Sequence, residues 1–525
     1  MTSGFTRAVL ALLLVIAIMG LSATPGFAEP SPQSGQTQRY FPWVPWGEVI
    51  SDPGGFPDSG PFYGVVTVQN LEPEPVQLMF LPTASFGGLF ATPAPTIQAH
   101  ASVSYNLSSI FVEATAVSTG LIVRAEKTSD KSPARIAAVT RSVSPSIPAV
   151  PTESTGAHIT VSGYTSLTYA GTKSTPRVIP IAQTNSNWNT LIRLTNFETS
   201  DNAFVTVTLR EHGGGDWTQL PGINLSAGQT HTLNMRNLVP DGWIGSVNIS
   251  SPSLVGAVAE RIKNETNMLL VNTSRSQAQS STTQVAPLVF RNWNHWNTGI
   301  AIVNHGFQQN DLTVTYFSPE GGQVHQDNLS LGDRQMDFIY LPAGDGQPFA
   351  GSALIEGTEP FTAVVDEVKY FGDDLDTGHA MSYTADYLQT EPGQALALPL
   401  FRKGHPVAGS GDTSGIQIFN LFGQAEVEVR LLNTDGTPAL SEPEIIQLGP
   451  HEGYTFYSLD LEDLPIGFTG SVIVRNRPLE DQNSGIYAVS NLVNYDVEFD
   501  GSTAFNFRRF ESPDLEPIPP VIITP

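Results

Sequence analysis

One short pattern recurs four times in the chain and limits what it can fold into. An apolar strand runs into Asn at Gly64–Asn70, Trp188–Asn196, Trp296–Asn304 and Gly415–Asn420. Each Asn is followed by an alternating segment whose apolar positions are Val76/Leu78/Phe80, Val205/Val207/Leu209, Leu312/Val314/Tyr316 and Val427/Val429/Leu431. A period of two is that of a half-buried strand and does not fit a helix. Turn residues close these strands, as in Gly213-Gly214-Gly215, Glu320-Gly321-Gly322 and Asp435-Gly436. The next landmarks are a Leu-x-Gly type bend and a strand opening at Thr119-Gly120, Gly245-Ser246, Gly351-Ser352 and Gly470-Ser471. From Asn to that Gly the separations are 50, 49, 47 and 50 residues by subtraction. So tight a spacing marks a true internal repeat.

The repeat predicts the architecture. In the third copy the strands read as 287–290, 298–304, 312–318, 323–331, 335–341, 351–356, 362–370 and 380–383. Eight short strands in about 100 residues, with turn signals between them, predict a β-sandwich. A propeller blade would need only four strands and about 40–50 residues. Four β-sandwiches are therefore placed at 40–147, 178–285, 286–395 and 396–510, with a linker or hairpin at 148–177 and a Pro-rich tail at 511–525.

The repeats resemble the tandem immunoglobulin-like β-sandwich modules of bacterial secreted and cell-surface proteins. The residues that carry the likeness are the apolar strand into Asn, the Gly-marked hairpin, the Leu-x-Gly bend and the aromatic-x-Gly-Ser strand entry. The resemblance covers roughly residues 40–510. It implies an all-β chain of four tandem immunoglobulin-like sandwiches with a spacer, adhesive, carbohydrate-binding or assembly role. It transfers no catalytic residue.

The remainder of the chain bears on destination. Residues 1–28 read as a cleaved signal peptide: Arg7, an apolar run from Ala8 to Met19, then Gly26-Phe27-Ala28. Residues 29–39 form a polar leader. No later apolar stretch is long enough to span a bilayer. With 50 acidic against 25 basic side chains and a net charge of −25, the chain repels nucleic acid and anionic lipid. It contains no cysteine, which removes disulfides, thiolate catalysis and Cys-based zinc.

Candidate chemistry is sparse. Asp366 and Glu367 are adjacent on one strand, but the same position holds Glu260-Arg261, Arg141-Ser142 and Asn491-Leu492 in the other copies. A position that tolerates acid, base and amide reads as solvent-facing. The scattered histidines, among them His305 and His379, read as surface or turn residues. Asp373, Asp374 and Asp376 put three carboxylates in one hairpin loop, the oxygen-rich setting that calcium takes. Trp43, Trp46, Trp188 and Trp296 are the candidate sugar-stacking rings, with Trp43 and Trp46 expected to be exposed. For Trp188 and Trp296 the competing reading is a plug at the end of the sandwich. The Asn ending each strand is expected to point inward and bond the turn backbone.

The expectation is a secreted, non-enzymatic structural or adhesive protein, extracellular or cell-surface associated. Its expected partners are cell-envelope polysaccharide or other surface proteins. The alternatives are a carbohydrate-binding protein using the four Trp residues, and a hydrolase with an inter-domain site.

Overall fold

A computed structural model describes residues 37–50, 59–83, 95–106, 117–144, 159–167, 176–214, 217–265, 268–277, 280–341, 347–371, 377–388, 394–405, 411–478, 485–495 and 501–511. These residues form antiparallel strands with two short 3₁₀ turns. Among them no helix is long and apolar enough to cross a membrane. Residues 1–28, expected to be a signal peptide, and residues 512–525 of the expected Pro-rich tail lie outside the described residues.

Grouped by the four repeats expected from the sequence, called units below, the first holds β1 (Gln38–Ile50), β2 (Ser59–Asn70), β3 (Val76–Pro82), β4 (Thr96–Ile97), β5 (Ser102–Asn106), β6 (Val117–Lys127), β7 (Ile136–Ser144) and β8 (Ile159–Thr165). The second holds β9 (Arg177–Gln183), β10 (Trp188–Asn196), β11 (Ala203–Glu211), β12 (Trp217–Gln219), β13 (Ile223–Leu225), β14 (Thr230–Asn234), β15 (Ile244–Ser250), β16 (Val255–Glu265) and β17 (Met268–Arg275). The third holds β18 (Ser281–Arg291), β19 (Trp296–Asn304), β20 (Asn310–Phe317), β21 (Gln323–Leu331), β22 (Met336–Tyr340), β23 (Phe349–Phe371), β24 (Thr377–Thr384) and β25 (Asp386–Tyr387). The fourth holds β26 (Gln394–Lys403), β27 (Thr413–Asn420), β28 (Ala425–Asn433), β29 (Glu444–Leu448), β30 (Gly453–Tyr457), β31 (Phe468–Pro478), β32 (Ile486–Val493), β33 (Ser502–Asn506) and β34 (Arg508–Glu511).

The strand order repeats with the sequence. In one layer the Asn-ending strand sits between a short edge strand and a long one, and the unit's last long strand follows: β14-β10-β16-β17 and β30-β27-β32-β33. The other layer carries the entry strand and the alternating strand, as in β12-β11-β15-β9 and β29-β28-β31-β26. In the first unit β1 runs through both layers, pairing β6 along one half and β2 along the other. In the third, β23 does the same, pairing β18 and β20 before Phe361 and β19 and β24 after it. The two strands expected at 351–356 and 362–370 are thus one continuous strand.

Two boundaries move. β8 falls in the stretch read as a linker or hairpin, yet it pairs with β7 and puts Tyr164 into the first unit's core. It is that unit's last strand. β18 begins at Ser281 and so crosses the boundary expected at 286.

Each entry strand carries a proline: Pro42, Pro180, Pro287 and Pro399. Proline has no N–H to give the ladder, and pairing shifts register around each one. In two units a tyrosine of the last strand repairs the gap. The Trp43 N–H donates to Tyr164 Oη at 3.2 Å and the Tyr164 hydroxyl donates to the Trp43 carbonyl at 2.6 Å. Tyr383 makes the same pair of bonds with the Leu288 backbone.

The units pack in a closed cycle. Entry strand β1 lies on β10 and β16 of the second unit, β9 on β19 and β23 of the third, β18 on β27 and β32 of the fourth, and β26 on β2 and β7 of the first. The last long strands close a smaller cycle, β8 to β17 to β24 to β33 and back to β8. Hydroxyls stitch that inner cycle across units: Ser382 Oγ donates to the Thr273 carbonyl, Ser502 Oγ to the Ala380 carbonyl and Thr503 Oγ1 to the Gly163 carbonyl. At Gly163 a Cβ would come within 2.9 Å of the Phe505 ring, so glycine permits the approach of β33 to β8.

Burial follows from this packing. β10 and β27 are buried at every residue, because one face meets the unit's own core and the other meets a neighbouring unit. β11, which faces solvent on one side, alternates buried and exposed. Apolar clusters span each junction: Ile50 and Phe62 with Leu191 and Ile262; Val178 and Ile181 with Ala301 and Val303; Val285 and Phe317 with Phe419 and Tyr487; Leu71 and Ala137 with Ala395 and Ala397.

Candidate functional site

The two adjacent positions read as solvent-facing from their acid, base and amide variants are largely buried, Asn491 being half-buried. They lie on the strand beside the Asn strand, one residue turned to the unit's own core and the other to the neighbouring unit. Arg141, Ser142, Glu260, Arg261, Glu367 and Leu492 are all under 5% exposed, and Asp366 is 9% exposed. The residue type varies because each junction pairs it differently. Across the second and third units, Arg261 Nη1 donates to Asp366 Oδ2 at 2.6 Å. Across the first and second, Arg193 lies 2.8 Å from Glu48 and 3.3 Å from Glu260, with its guanidinium 5.4 Å from the Trp43 ring centre. Across the fourth and first, Asp412 takes Arg402 at 2.7 Å and Arg141 at 3.5 Å. Buried charges persist only when paired, and these are paired between units.

Glu367 differs. Burial pushes its carboxyl well above the usual carboxylate range, and the neighbouring Asp366 charge adds to that. Its Oε2 accepts a hydrogen bond from Thr298 Oγ1 at 2.7 Å, and Oε1 has no hydrogen-bond partner. Thr298 Oγ1 in turn accepts the Phe290 N–H at 2.6 Å. The chain of bonds ties the entry strand to the Asn strand and then to β23.

The four candidate tryptophans do not form a sugar platform. Trp43, expected to be exposed, is 1% exposed and donates through Nε1 to Glu48 at 2.7 Å. Its ring belongs to the first unit's own core, with Arg193 of the second unit over it. Trp46 is half-buried and packs edge-on to Tyr63 at 5.4 Å. Trp188 and Trp296 are buried, Trp296 against Phe290 and His379 and Trp188 against Leu270 and Ala380. They plug the structure. Asp373, Asp374 and Asp376 lie outside the described residues. Among the described residues no group of three or more His, Asp or Glu side chains is gathered for a metal.

Two histidines read as surface residues are not. His379 is fully buried and accepts the Gly501 N–H at Nδ1. His305 is mostly covered and shares a 2.8 Å hydrogen bond with Thr362 Oγ1. The inward Asn is as expected. All four are fully buried, and Asn304 Nδ2 donates to the Gln308 and Gly332 carbonyls at 2.8 Å each. Asn70, Asn196 and Asn420 make the corresponding bonds.

The exposed aromatics lie elsewhere, some on strands and some at turns. On the outer side of the junction between the second and third units, four side chains stack. The Arg210 guanidinium is 4.7 Å from the Trp217 ring centre; Arg334 lies 5.8 Å from Trp217 and 4.4 Å from Phe307. Trp217 is 36% exposed and Phe307 69%. Beside them His212 bonds Asp337 at 2.8 Å and lies 5.1 Å from Phe338. Trp293, 46% exposed, stands on a turn where Asn292, Asn294 and His295 all hold positive φ. Non-glycine residues in that region carry strain, which clusters at functional loops. The sequence signal for these rings was their place beside Gly- or Asn-rich turns, away from strand interiors. No protein-family model matches the chain, and no curated protein is detectably similar to it.

Proposed function

We propose that this chain is a secreted, non-enzymatic structural and adhesive protein built of four immunoglobulin-like sandwich modules, working outside the cell or on its surface. The observation that carries this reading is the use made of the ionisable groups. The acidic and basic side chains that could have formed a catalytic centre are paired across module junctions, while exposed aromatic and arginine side chains gather on an outer face. Trp, Tyr and Arg dominate the energetics of protein contact surfaces, and exposed rings also stack on sugars. The carbohydrate-binding reading therefore passes from Trp43, Trp46, Trp188 and Trp296 to Trp217, Phe307 and Trp293. A single rigid ring would present such a face at a fixed orientation, which suits a surface coat or an adhesin.

Retention of the purified full-length chain on cell-envelope polysaccharide and on intact envelope tests this. Retention on envelope, lost in a Trp217→Ala/Phe307→Ala variant that unfolds like the parent, is the expected result. Equal retention of parent and variant would sink the assignment of this face. Turnover on a panel of glycosides and esters would sink the non-enzymatic reading. Fractionation of the producing cells tests export.

A further inference from the structure

The seam that closes the ring, between the fourth unit and the first, contains a cavity of about 280 Å³. The fourth unit contributes Leu400, Arg402, His405 and Thr469, and the first contributes Thr67 and Ser104. Its wall combines apolar carbon with hydroxyls. Thr67 Oγ1 and Ser104 Oγ bond one another at 2.8 Å, and Leu400 is buried in the fourth unit's core.

Arg402 brings a partly unsatisfied guanidinium to this wall. Arg402 is 9% exposed and gives one guanidinium nitrogen to Asp412, but its Nε has no hydrogen-bond partner. Asp412, behind the wall, also lies 3.5 Å from Arg141. A buried donor left unpaired costs about 1–3 kcal/mol, more when charged. The arginine fork is shaped to take carboxylate. His405 points one ring nitrogen, Nδ1, at the Gly467 carbonyl 2.9 Å away.

We infer that this seam cavity binds a single acidic sugar residue, a pyranose bearing a carboxylate. The carboxylate lies toward Arg402, the hydroxyls meet Thr67, Ser104 and Thr469, and the ring carbons lie on Leu400. The size agrees: drug-sized ligands take pockets of roughly 300–1,000 Å³, and one sugar residue needs less. A net charge of −25 disfavours anions over the surface as a whole, so this pocket works through the Arg402 guanidinium. The inference does not depend on the adhesive face at Trp217 and Phe307, which lies at a different junction.

Titration calorimetry of the full chain with sodium D-glucuronate, D-glucose and sodium acetate tests it. Saturable binding of glucuronate is expected, with glucose and acetate each at least about tenfold weaker. Arg402→Gln should lower glucuronate affinity at least about tenfold. Because Arg402 also serves Asp412, Thr469→Leu provides a second test: it fills the cavity without touching an ion pair and should abolish binding while leaving thermal unfolding unchanged. Absence of heat with glucuronate, equal affinity for glucose, or full affinity in Thr469→Leu would each overturn the inference.

Discussion

Arg261 of the second unit and Asp366 of the third form a two-pronged ion pair across their junction, with Nη1 and Nη2 each donating to one carboxylate oxygen. Both sit on strands that the sequence pattern places on opposite modules. Removing one partner leaves an uncompensated charge in a seam that excludes water. Arg261→Leu or Asp366→Leu alone should lower unfolding free energy by about 3–5 kcal/mol. The double variant should recover most of that loss, because two apolar side chains leave nothing unpaired. A double-mutant cycle in urea measures the coupling, and purely additive losses would contradict the pairing.

Asn304 illustrates a different kind of constraint. Its amide holds the Gln308, Leu331 and Gly332 carbonyls while its Oδ1 accepts the Gly306 N–H. No backbone partner replaces them. Asn304→Ala should cost about 2–3 kcal/mol, the penalty for leaving buried carbonyls unmet. Asn304→Asp should be worse, since a carboxylate cannot donate to carbonyls. Denaturant midpoints of the two variants check the order.

The strands were legible because alternation and turn residues are local. Leu312, Val314 and Tyr316 announce β20 by themselves. The inward Asn was legible because it shares the parity of Ile300 and Ile302. Arg261 and Asp366 were misread because the burial of a strand's second face depends on a module about 100 residues away. Seen in isolation, a charged residue there looks solvated. Trp43 was misread for a different reason: its flanking prolines suggested a loop, while the ring joins the first unit's core under Arg193 of the next. The entry-strand prolines are plain in the sequence but form no regular pattern there. They stand at varying distances before the Asn strand, so a search for constant spacing does not align them.

Stability should fall on mild acidification through the buried imidazoles. Burial holds His379 down at about 3, aided by Lys369, and holds His305 at about 4, aided by Arg334. In the unfolded chain each titrates near about 6.5. Above that value neither state carries the proton and the groups contribute no slope. As pH falls below it, the unfolded chain takes protons that the folded chain refuses, and stability drops by about 1.4 kcal/mol per pH unit for each. The decline runs to the folded values. Asp386, raised by burial to about 6, works oppositely: its contribution is present at low pH and is lost as pH rises to 6. Comparing parent with His379→Gln at pH 5.0, 6.0 and 7.5 isolates the imidazole, and the variant should show the shallower acid slope. Parallel slopes would refute this.

Burial and exposure separate two sets of aromatic substitutions. Trp296→Ala should destabilise by about 3–5 kcal/mol, since its ring fills core between Phe290 and His379. Phe307→Ala, at an exposed turn, should change stability by under about 0.5 kcal/mol. Envelope retention should reverse the order, falling for Phe307→Ala and holding for any Trp296→Ala protein that remains folded. Thermal unfolding and retention measured on the same samples decide.

The cyclic packing makes the four units depend on one another. A linear string of modules would lose one end and keep the rest intact. Here each unit's entry strand covers the next, and the fourth unit covers Leu71 and Ala137 of the first while itself covering Val285 and Phe317 of the third. A chain ending at residue 393 would uncover apolar surface on both neighbours, together with Arg141, whose carboxylate partner Asp412 would be gone. Exposed apolar area of that size promotes association. The truncated protein should therefore melt well below the parent and self-associate, and the parent should unfold in one cooperative transition. Calorimetry and light scattering on the two proteins provide the comparison. A truncated chain that stays monomeric with an unchanged melting temperature would show that the units behave as independent beads.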